Sequence, residues 1–469
     1  MRRLCLAFSI VCCMLAGCAP RTFEDPVVVL LDRKACYDFR RAAMEQARVQ
    51  MPRDPRRIEA LEKVLWQHGY PAWQRVQAID DLIAYDEQAF CESLPRRFGL
   101  LNDWEPINHI FDLAIERQWP DFTPVAVRNY ARHSHGMADT DRPERAVIAA
   151  LHPGRPIEDV IFEVFADAEG SQSARDQVAA WELLARLCDR QTLLGHLSNA
   201  AGTTPLVIDL KAAAAELHVL PVNKEGILWL QWLRDADRKA WWDGLAAGTG
   251  ELDDAQRAGL SLRHQPLLAM LESHERRRSR QELAAQLDSY TRAADRHMTS
   301  PTFDGGPRDW DQTFYHWQPK LHWGDLVVLD AITRAMKDRS FVAALFEQAE
   351  RDHDNTATEY GGVIELDRAA GGQVRFVARE YRPRFTHHDR KYVPSVEMIE
   401  SLYINLAHYH FHAQAHKNRD YAGPGAGDLQ LADRLDASFV VFTFIDENRL
   451  NVDYYQRGRM VVDLGTIRR

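Results

Sequence analysis

The sequence is poor in cysteine, and beyond its first residues it has no long apolar run. Of the seven cysteines, only Cys36, Cys91 and Cys188 lie beyond residue 18. They form neither a C-x-x-C zinc pattern nor the dense framework of a small disulfide-rich domain. After residue 17 no stretch is long and apolar enough to span a bilayer.

Positive charge is also in short supply. The chain has 58 lysines and arginines against 68 acidic residues, a formal net charge of -10. No stripe of basic residues interleaved with aromatics is present, and an acidic surface repels phosphate backbones, so we expect no nucleic-acid partner. The H-E-x-x-H, G-x-S-x-G and G-K-[ST] motifs of several enzyme classes are missing as well.

The first residues predict an exported protein with a lipid anchor. Arg2 and Arg3 precede an apolar run from residue 4 to residue 15, which is typical of a secretory signal and too short to span a bilayer. The run ends in LAGC at 15–18, which resembles the lipobox of bacterial lipoproteins. The resemblance implies cleavage after residue 17 and attachment through a lipid on Cys18 to a membrane of the bacterial cell envelope. An ordinary cleaved signal with an incidental cysteine is the alternative.

From residue 18 to residue 297 the hydrophobic pattern predicts helices throughout. Apolar residues recur three and four positions apart, as on a helix with one buried face; Ile107, Ile110, Phe111 and Ala114 are an example. Short connections rich in Pro, Gly, Asp and Asn separate these segments. We expect a mostly α-helical domain of stacked helix pairs, as in HEAT-like or armadillo-like repeats. A compact irregular helical domain is the alternative, because no residue-level repeat can be aligned.

A second domain is predicted at the C-terminal end, which makes the chain multidomain. Residues 298–353 predict a linker rich in Pro and Gly and then one connecting helix over Leu326–Ala349. Residues 354–469 predict an α/β or α+β domain, with a helix over Ser395–Leu406 and another that opens after Gly427. The predicted strands include residues 363–364, 374–377, 439–445, 450–455 and 460–462.

The candidate site lies between Ala407 and Ala432. His408, His410 and His412 alternate there, and alternate side chains of a strand share one face about 7 Å apart, so two imidazoles can converge on one ion. Asp428 comes after a glycine-rich loop and before an apolar stretch, which places its carboxylate in the first turn of a helix. Two imidazoles and a carboxylate, with a fourth position open to water, make a catalytic zinc site. The alternative is that these histidines are packed or hydrogen-bonded strand residues.

The order of these residues resembles the JAMM/MPN family of zinc metalloproteases. Glu359 stands shortly before Gly361 and Gly362, and His410-x-His412 and Asp428 follow, as a glutamate, an H-x-H-P motif and an S-x-x-D motif follow one another in that family. The resemblance implies that His410, His412 and Asp428 bind Zn²⁺. It also implies that Glu359 is the general base that activates water to attack an amide or isopeptide carbonyl.

Two positions depart from the family pattern. Ala413 stands in place of the proline, and Gly425 stands in place of the serine, whose hydroxyl helps to hold the carbonyl oxygen at the transition state. Losing one such donor costs about 10² to 10³ in rate. We expect Tyr421, or a backbone amide of the glycine-rich loop, to replace that donor, and His408 to support the ligands from outside the donor set.

The sequence therefore leads to two hypotheses. The first is a lipid-anchored zinc hydrolase of amide or isopeptide bonds, whose helical region binds a protein or peptide substrate or a partner. The second is a non-catalytic lipoprotein scaffold, in which the helical repeats and an inactive JAMM-like domain mediate protein–protein interaction. Gly425 motivates the second hypothesis, because it removes a side chain that the first one needs.

Overall fold

A computed structural model describes residues 22–132, 137–167, 173–200, 204–297, 311–368, 374–384 and 392–469. The chain divides into two compact units, Met1–Leu183 and Leu184–Arg469. The expected signal segment with Cys18, and residues 298–310 of the expected linker, lie outside the described residues. Within the described ranges, no helix combines the length and the apolar character that crossing a membrane requires.

The first unit is helical throughout its described parts, as the sequence predicts. Its helices pack largely on their neighbours along the chain, with α3 against α4, α4 against α5 and α6 against α7. A repeat of the HEAT or armadillo type remains a prediction. The helices are α1 (Pro26–Leu31), α2 (Tyr37–Gln50), α3 (Pro55–Trp66), α4 (Ala72–Arg97), α5 (Trp104–Glu116), α6 (Thr123–Ala131), α7 (Pro143–Leu151), α8 (Ile157–Ala166) and α9 (Ser173–Leu187), which runs across the boundary.

Local chemistry explains where these helices begin and break. Helix α3 opens with Pro55 after Asp54, whose carboxylate accepts a hydrogen bond from the Arg56 amide at 2.8 Å. The long helix α4 is interrupted at Asp86, which has φ of -158° and ψ of 93°. Its 26 residues therefore form two helical segments.

The second unit combines helices with one six-stranded sheet of order β2-β1-β3-β4-β5-β6. Strands β3 and β4 are parallel, and the other neighbours are antiparallel. The strands are β1 (Gly361–Arg368), β2 (Val374–Tyr381), β3 (Ala407–His412), β4 (Phe439–Asp446), β5 (Arg449–Gln456) and β6 (Met460–Arg468). The helices are α10 (Arg190–Asn199), α11 (Pro205–Ala212), α12 (Lys224–Leu233), α13 (Lys239–Gly250), α14 (Asp254–Arg257), α15 (Gln265–Leu268), α16 (Ser273–Arg276), α17 (Arg280–Ala293), α18 (Phe314–Trp317), α19 (Trp323–Ala335), α20 (Arg339–Asp354), α21 (Val396–Glu400) and α22 (Ala426–Leu435).

Strand β3 lies inside the sheet, and all six of its residues are buried. Its alternate residues face opposite sides. On one side the Tyr409 hydroxyl donates to Gln348 of α20, and on the other lie the three histidines. The chain leaves β3 at His412 and returns through α22 to the parallel strand β4. This crossover brings the carboxyl end of a strand near the start of a helix, where ligands commonly bind in α/β sheets.

The prediction of one helix over Leu326–Ala349 is wrong. The structure has two helices there, α19 and α20, with a break at residues 336–338. Asp338 causes the break, because its carboxylate accepts hydrogen bonds from the amides of Ser340 at 2.8 Å and Phe341 at 3.2 Å. That arrangement caps a new helix, and the apolar periodicity continues across it without revealing it.

The helix predicted over Ser395–Leu406 is also too long. Helix α21 has five residues, Val396–Glu400. Beyond it the Leu406 amide donates to the Ile364 carbonyl of β1 at 2.9 Å, so the chain is already drawn into the sheet at that point. Pairing with the strand therefore overrides the helical pattern of the sequence.

The unit that holds the sheet begins far earlier in the chain than the strand pattern suggests, at Leu184. Asn223 lies just before α12, and its side chain donates to the Arg434 carbonyl of α22 at 3.0 Å. The Tyr403 hydroxyl bonds both to Asn223, at 3.1 Å, and to the Leu435 carbonyl, at 2.7 Å. Helices from the middle of the chain thus hold the C-terminal end of α22.

Candidate metal centre

Strand β3 and helix α22 bring three of the predicted site residues together. His410 and His412 lie on one face of β3, and His412 is the last residue of that strand. Asp428 lies in the first turn of α22, where the Gly425 amide donates to its Oδ2 at 2.7 Å. The helix dipole also favours a negative charge at this position. The sequence therefore places all three side chains at one edge of the sheet.

The donor atoms of this group converge tightly. His410 Nε2 lies 3.3 Å from His412 Nε2 and 3.4 Å from Asp428 Oδ2, and His412 Nε2 lies 3.9 Å from that same oxygen. A tetrahedral zinc ion with bonds of about 2.0–2.1 Å keeps its ligands about 3.3–3.4 Å apart. The three separations are close to that spacing, so the donors fit one small ion.

The surroundings of each imidazole restrict its orientation. His412 donates from Nδ1 to the Tyr421 carbonyl at 2.8 Å, which fixes the tautomer whose Nε2 carries a lone pair. The His410 ring stacks on the ring of Tyr392, with centroids 6.0 Å apart and an interplanar angle of 8°. Both rings are thus held with Nε2 pointing toward Asp428.

The electrostatics of the group also favour a cation. Burial opposes ionisation of Asp428, but the neighbouring His410 and His412 and the Gly425 amide lower its pKa to about 2. Burial likewise disfavours the charged form of His410, but the carboxylates of Asp428 and Glu359 raise the pKa of this histidine. Within the described part of the chain, no lysine or arginine forms an ion pair with Asp428.

Glu359 lies beside this group, just before β1. Strands β1 and β3 pair with Gly361 opposite His410, and continuing that register puts Glu359 opposite His412. Glu359 as a whole residue is 3% exposed. Glu359 is close enough to His410 for its charge to raise the pKa of that histidine, and it is not one of the three clustered donors.

The side-chain amide of Gln414 holds Glu359 in place, and the side-chain amide of Asn418 orients Gln414. Gln414 donates from Nε2 to Glu359 Oε1 at 3.0 Å. Asn418 in turn donates from Nδ2 to Gln414 Oε1 at 2.8 Å and to the His412 carbonyl at 3.0 Å. Since Asn418 fixes which end of the Gln414 amide is the oxygen, Gln414 must present its NH₂ group to the carboxylate.

Gly361, two residues after Glu359, has a steric role. A Cβ atom on Gly361 would lie 2.6 Å from the Tyr409 carbonyl oxygen and 2.7 Å from Cζ of Tyr392. Only glycine lets β1 approach β3 this closely while the Tyr392 ring covers His410. The glutamate–glycine order of the sequence therefore reflects close packing at the centre.

The structure also places His408, expected to support the ligands, and Tyr421, expected to replace the missing oxyanion donor. His408 is 2% exposed, burial lowers its pKa to about 3, and neither ring nitrogen has a hydrogen-bond partner among the residues that the structure describes. It therefore makes no hydrogen bond to His410 or His412 and packs as a neutral ring near Phe439. Tyr421 acts through its backbone carbonyl on His412, while its side chain is 45% exposed.

Sequence reasoning missed Gln414, Asn418 and Tyr392. Gln414 could have been found, because it continues the alternate spacing of His408, His410 and His412 beyond the end of the strand. Tyr392 lies before α21 and reaches His410 only through the folded arrangement of the chain. No local pattern in the sequence signals that contact.

No family model, curated protein or solved structure matches this chain. The chemistry of the centre is therefore inferred from its donors. Hard cations such as Ca²⁺ and Mg²⁺ take six or more oxygen ligands, whereas two imidazoles and one carboxylate suit a transition-metal ion. A site with three protein ligands of this kind leaves one coordination position open, as catalytic sites do.

Proposed function

We propose that this chain is a zinc-dependent hydrolase of the JAMM-like class that cleaves amide or isopeptide bonds in a protein or peptide substrate. The convergence of His410, His412 and Asp428, with the buried carboxylate of Glu359 beside them, carries the proposal. The helical first unit binds the substrate or a partner. Lipidation of Cys18 would attach the enzyme to a membrane of the bacterial cell envelope.

His410, His412 and Asp428 hold the zinc ion in this proposal. When bound, zinc supplies a Lewis acid that polarises the substrate carbonyl and lowers the pKa of water to about 7. The Tyr421 carbonyl keeps His412 in the tautomer that binds through Nε2. Tyr392 covers the His410 ring and excludes water from that side.

Glu359 moves the proton. Its carboxylate accepts a proton from the attacking water as the water oxygen forms a bond to the carbonyl carbon. The same proton then passes to the amine nitrogen as the carbon–nitrogen bond breaks, so Glu359 ends the cycle ionised. Gln414 keeps the carboxylate in position during both transfers by donating to Oε1.

Metal analysis of the purified full chain tests the first part of the proposal. We expect about one zinc per chain. The double variant His410→Ala/His412→Ala should lose the zinc. His408→Leu on the same strand should retain the zinc, because His408 lies outside the donor set. Less than one tightly bound zinc per chain, unchanged in the double variant, would contradict the proposal.

One observation favours a second function, that of a non-catalytic scaffold. Gly425 has no side chain to offer a transition-state oxyanion, and its amide is already bonded to Asp428. Under this alternative the centre only stabilises the fold, and the helical unit binds a partner.

Turnover of a peptide library separates the two functions. Glu359→Gln should lower turnover about 10² to 10⁴-fold, the usual contribution of a general base, while zinc is retained. Glu365→Gln, within β1 and paired with Arg379, is the matched control and should leave turnover unchanged. Zinc binding without turnover in the unaltered chain would favour the scaffold.

A further inference from the structure

The first unit has a basic cavity that the proposed hydrolase does not use. It is an open depression in the surface, with a volume of about 480 Å³. Three guanidinium groups and one carboxylate line it, so the fixed charge of the wall is +2 in a chain whose net charge is -10. The charged lining residues are Arg33, Arg40, Arg75 and Asp103, with His68 and Asn102 beside them.

Two of the three guanidiniums have only neutral partners. Arg33 donates to the Gln67 side chain at 3.4 Å, and Arg40 donates to the Gln74 side chain at 3.3 Å. Among the residues described by the structure, no aspartate or glutamate forms an ion pair with either of these arginines. Positive charges held together without a counter-charge repel one another, and an anion between them relieves that repulsion.

The third guanidinium is built into the fold. Arg75 is 2% exposed, and it donates to Asp103 at 2.9 Å and to the Gln67 carbonyl at 2.7 Å. Its Nε is buried and has no hydrogen-bond partner among the described residues. Arg75 therefore gives the cavity wall a fixed guanidinium that is paired with Asp103.

Helix α4 adds to the positive field of the cavity. Pro71 and Gly69 line the cavity immediately before the helix starts, and no side chain caps that end of the helix. The first backbone amides carry the positive end of the helix dipole, which favours anions. Gly69 has φ of +96°, and a Cβ atom there would lie 3.3 Å from Nη1 of Arg33, so glycine permits both the turn and the position of the arginine.

We propose that this cavity binds a phosphate monoester group. A phosphate monoester carries a charge of about -1.5 to -2 at neutral pH and three acceptor oxygens, which matches a wall of charge +2 built from guanidinium forks. Two sources share this chemistry, a soluble phosphorylated metabolite and a lipid headgroup of the phosphatidate type.

Isothermal titration of the full chain carrying Cys18→Ser, so that no lipid anchor contributes, tests the site. The probes are inorganic phosphate and glycerol 3-phosphate. Both should bind, and the affinity should fall as salt rises. The double variant Arg33→Gln/Arg40→Gln should bind the probes about 100-fold more weakly, because each charge-assisted hydrogen bond that is lost costs about tenfold in affinity. Arg41→Gln is the matched control, because Arg41 follows Arg40 on α2 but does not line the cavity.

Sedimentation with vesicles distinguishes the two sources. Vesicles of phosphatidylcholine with phosphatidate are compared with phosphatidylcholine alone, using the same protein and the same variants. Sedimentation with the phosphatidate vesicles alone, lost in the double variant, assigns a lipid headgroup, and binding of the soluble probes without that sedimentation assigns a soluble metabolite. The proposal is overturned if neither binds, or if the double variant and Arg41→Gln bind equally well.

Discussion

The two ends of helix α22 carry carboxylates in opposite situations. At its C-terminal end, Asp436 adopts a left-handed conformation with φ of 47° and is bound by the Arg263 guanidinium at 2.6 Å. The same guanidinium binds Asp325 at 2.8 Å. At its N-terminal end, Asp428 faces two imidazole nitrogens instead of an arginine. Asp436 is buried, whereas the Asp428 side chain is 25% exposed beside two buried histidines, and the two clusters differ in which groups face the carboxylate.

This difference separates a structural cluster from a candidate functional one. A carboxylate beside the negative end of a helix dipole is unfavourable unless a cation offsets it, and Arg263 is that cation for Asp436. The side chains that face Asp428 are two imidazoles, and among the described residues no guanidinium or ammonium forms an ion pair with it. The first cluster has its cation within the protein, whereas the donor atoms of the second lie close enough together to hold a metal ion.

Of the substitutions that test this difference, the removal of Arg263 should destabilise the folded state most. Arg263→Met leaves Asp325 and Asp436 buried without their cation, and breaking a buried pair from one side costs about 3–5 kcal/mol. Hydrogen exchange of the β4 amides in the full chain should report a loss of this size. Arg292→Met is the control, because Arg292 pairs with Asp288 at an exposed position worth about 0.3–0.5 kcal/mol.

The pH dependence of hydrogen exchange at the β4 amides tests whether Arg263 stabilises the fold by keeping Asp325 ionised. Burial opposes ionisation of Asp325, but the Arg263 charge and the bonds from Arg263 and His264 hold its pKa far below its usual range. The stabilisation is therefore full above the unfolded pKa of about 3.9 and is lost as the pH falls below it. In Arg263→Met this acid-dependent loss should shrink. An unchanged acid dependence would show that Asp325 is not held ionised by Arg263.

Zinc binding should stabilise the folded state around the candidate metal centre. At a free zinc concentration 100 times Kd, binding stabilises the folded state by about 2.7 kcal/mol. Hydrogen exchange of the β3 amides should slow by that amount with zinc and recover with chelator. Asp428→Asn should reduce the effect and His408→Leu should preserve it. An equal effect of zinc on all three chains would place the ion elsewhere.

Much of this arrangement follows from local sequence patterns. Strands β4, β5 and β6 have dense Val, Phe and Tyr runs separated by turn residues, and the glycine-rich loop before Asp428 marks the start of α22. The alternate histidines place two rings on one face. These features are local, so hydrophobic periodicity and helix-capping preferences predict them.

The rest depends on contacts between distant segments. The bonds from Arg263 to Asp325 and Asp436 join residues 62 and 173 positions apart, and no periodicity encodes them. The break between α19 and α20 is set by the Asp338 carboxylate, which the apolar pattern hides. The stacking of Tyr392 on His410 likewise exists only once β1 and β3 are paired.

The smallest predicted effect concerns the amides that position Glu359. Gln414→Leu removes the donor to Glu359 Oε1 but leaves the metal ligands intact. We expect kcat to fall about tenfold, equal to about 1.4 kcal/mol, with KM and zinc content unchanged, because only the orientation of the base is lost. Asn418→Asp should have a similar effect, since the Gln414 amide would then turn its NH₂ group toward position 418 and its oxygen toward Glu359. If Gln414→Leu instead raised KM or released zinc, Gln414 would be a packing residue of the loop and not a positioning residue for the base.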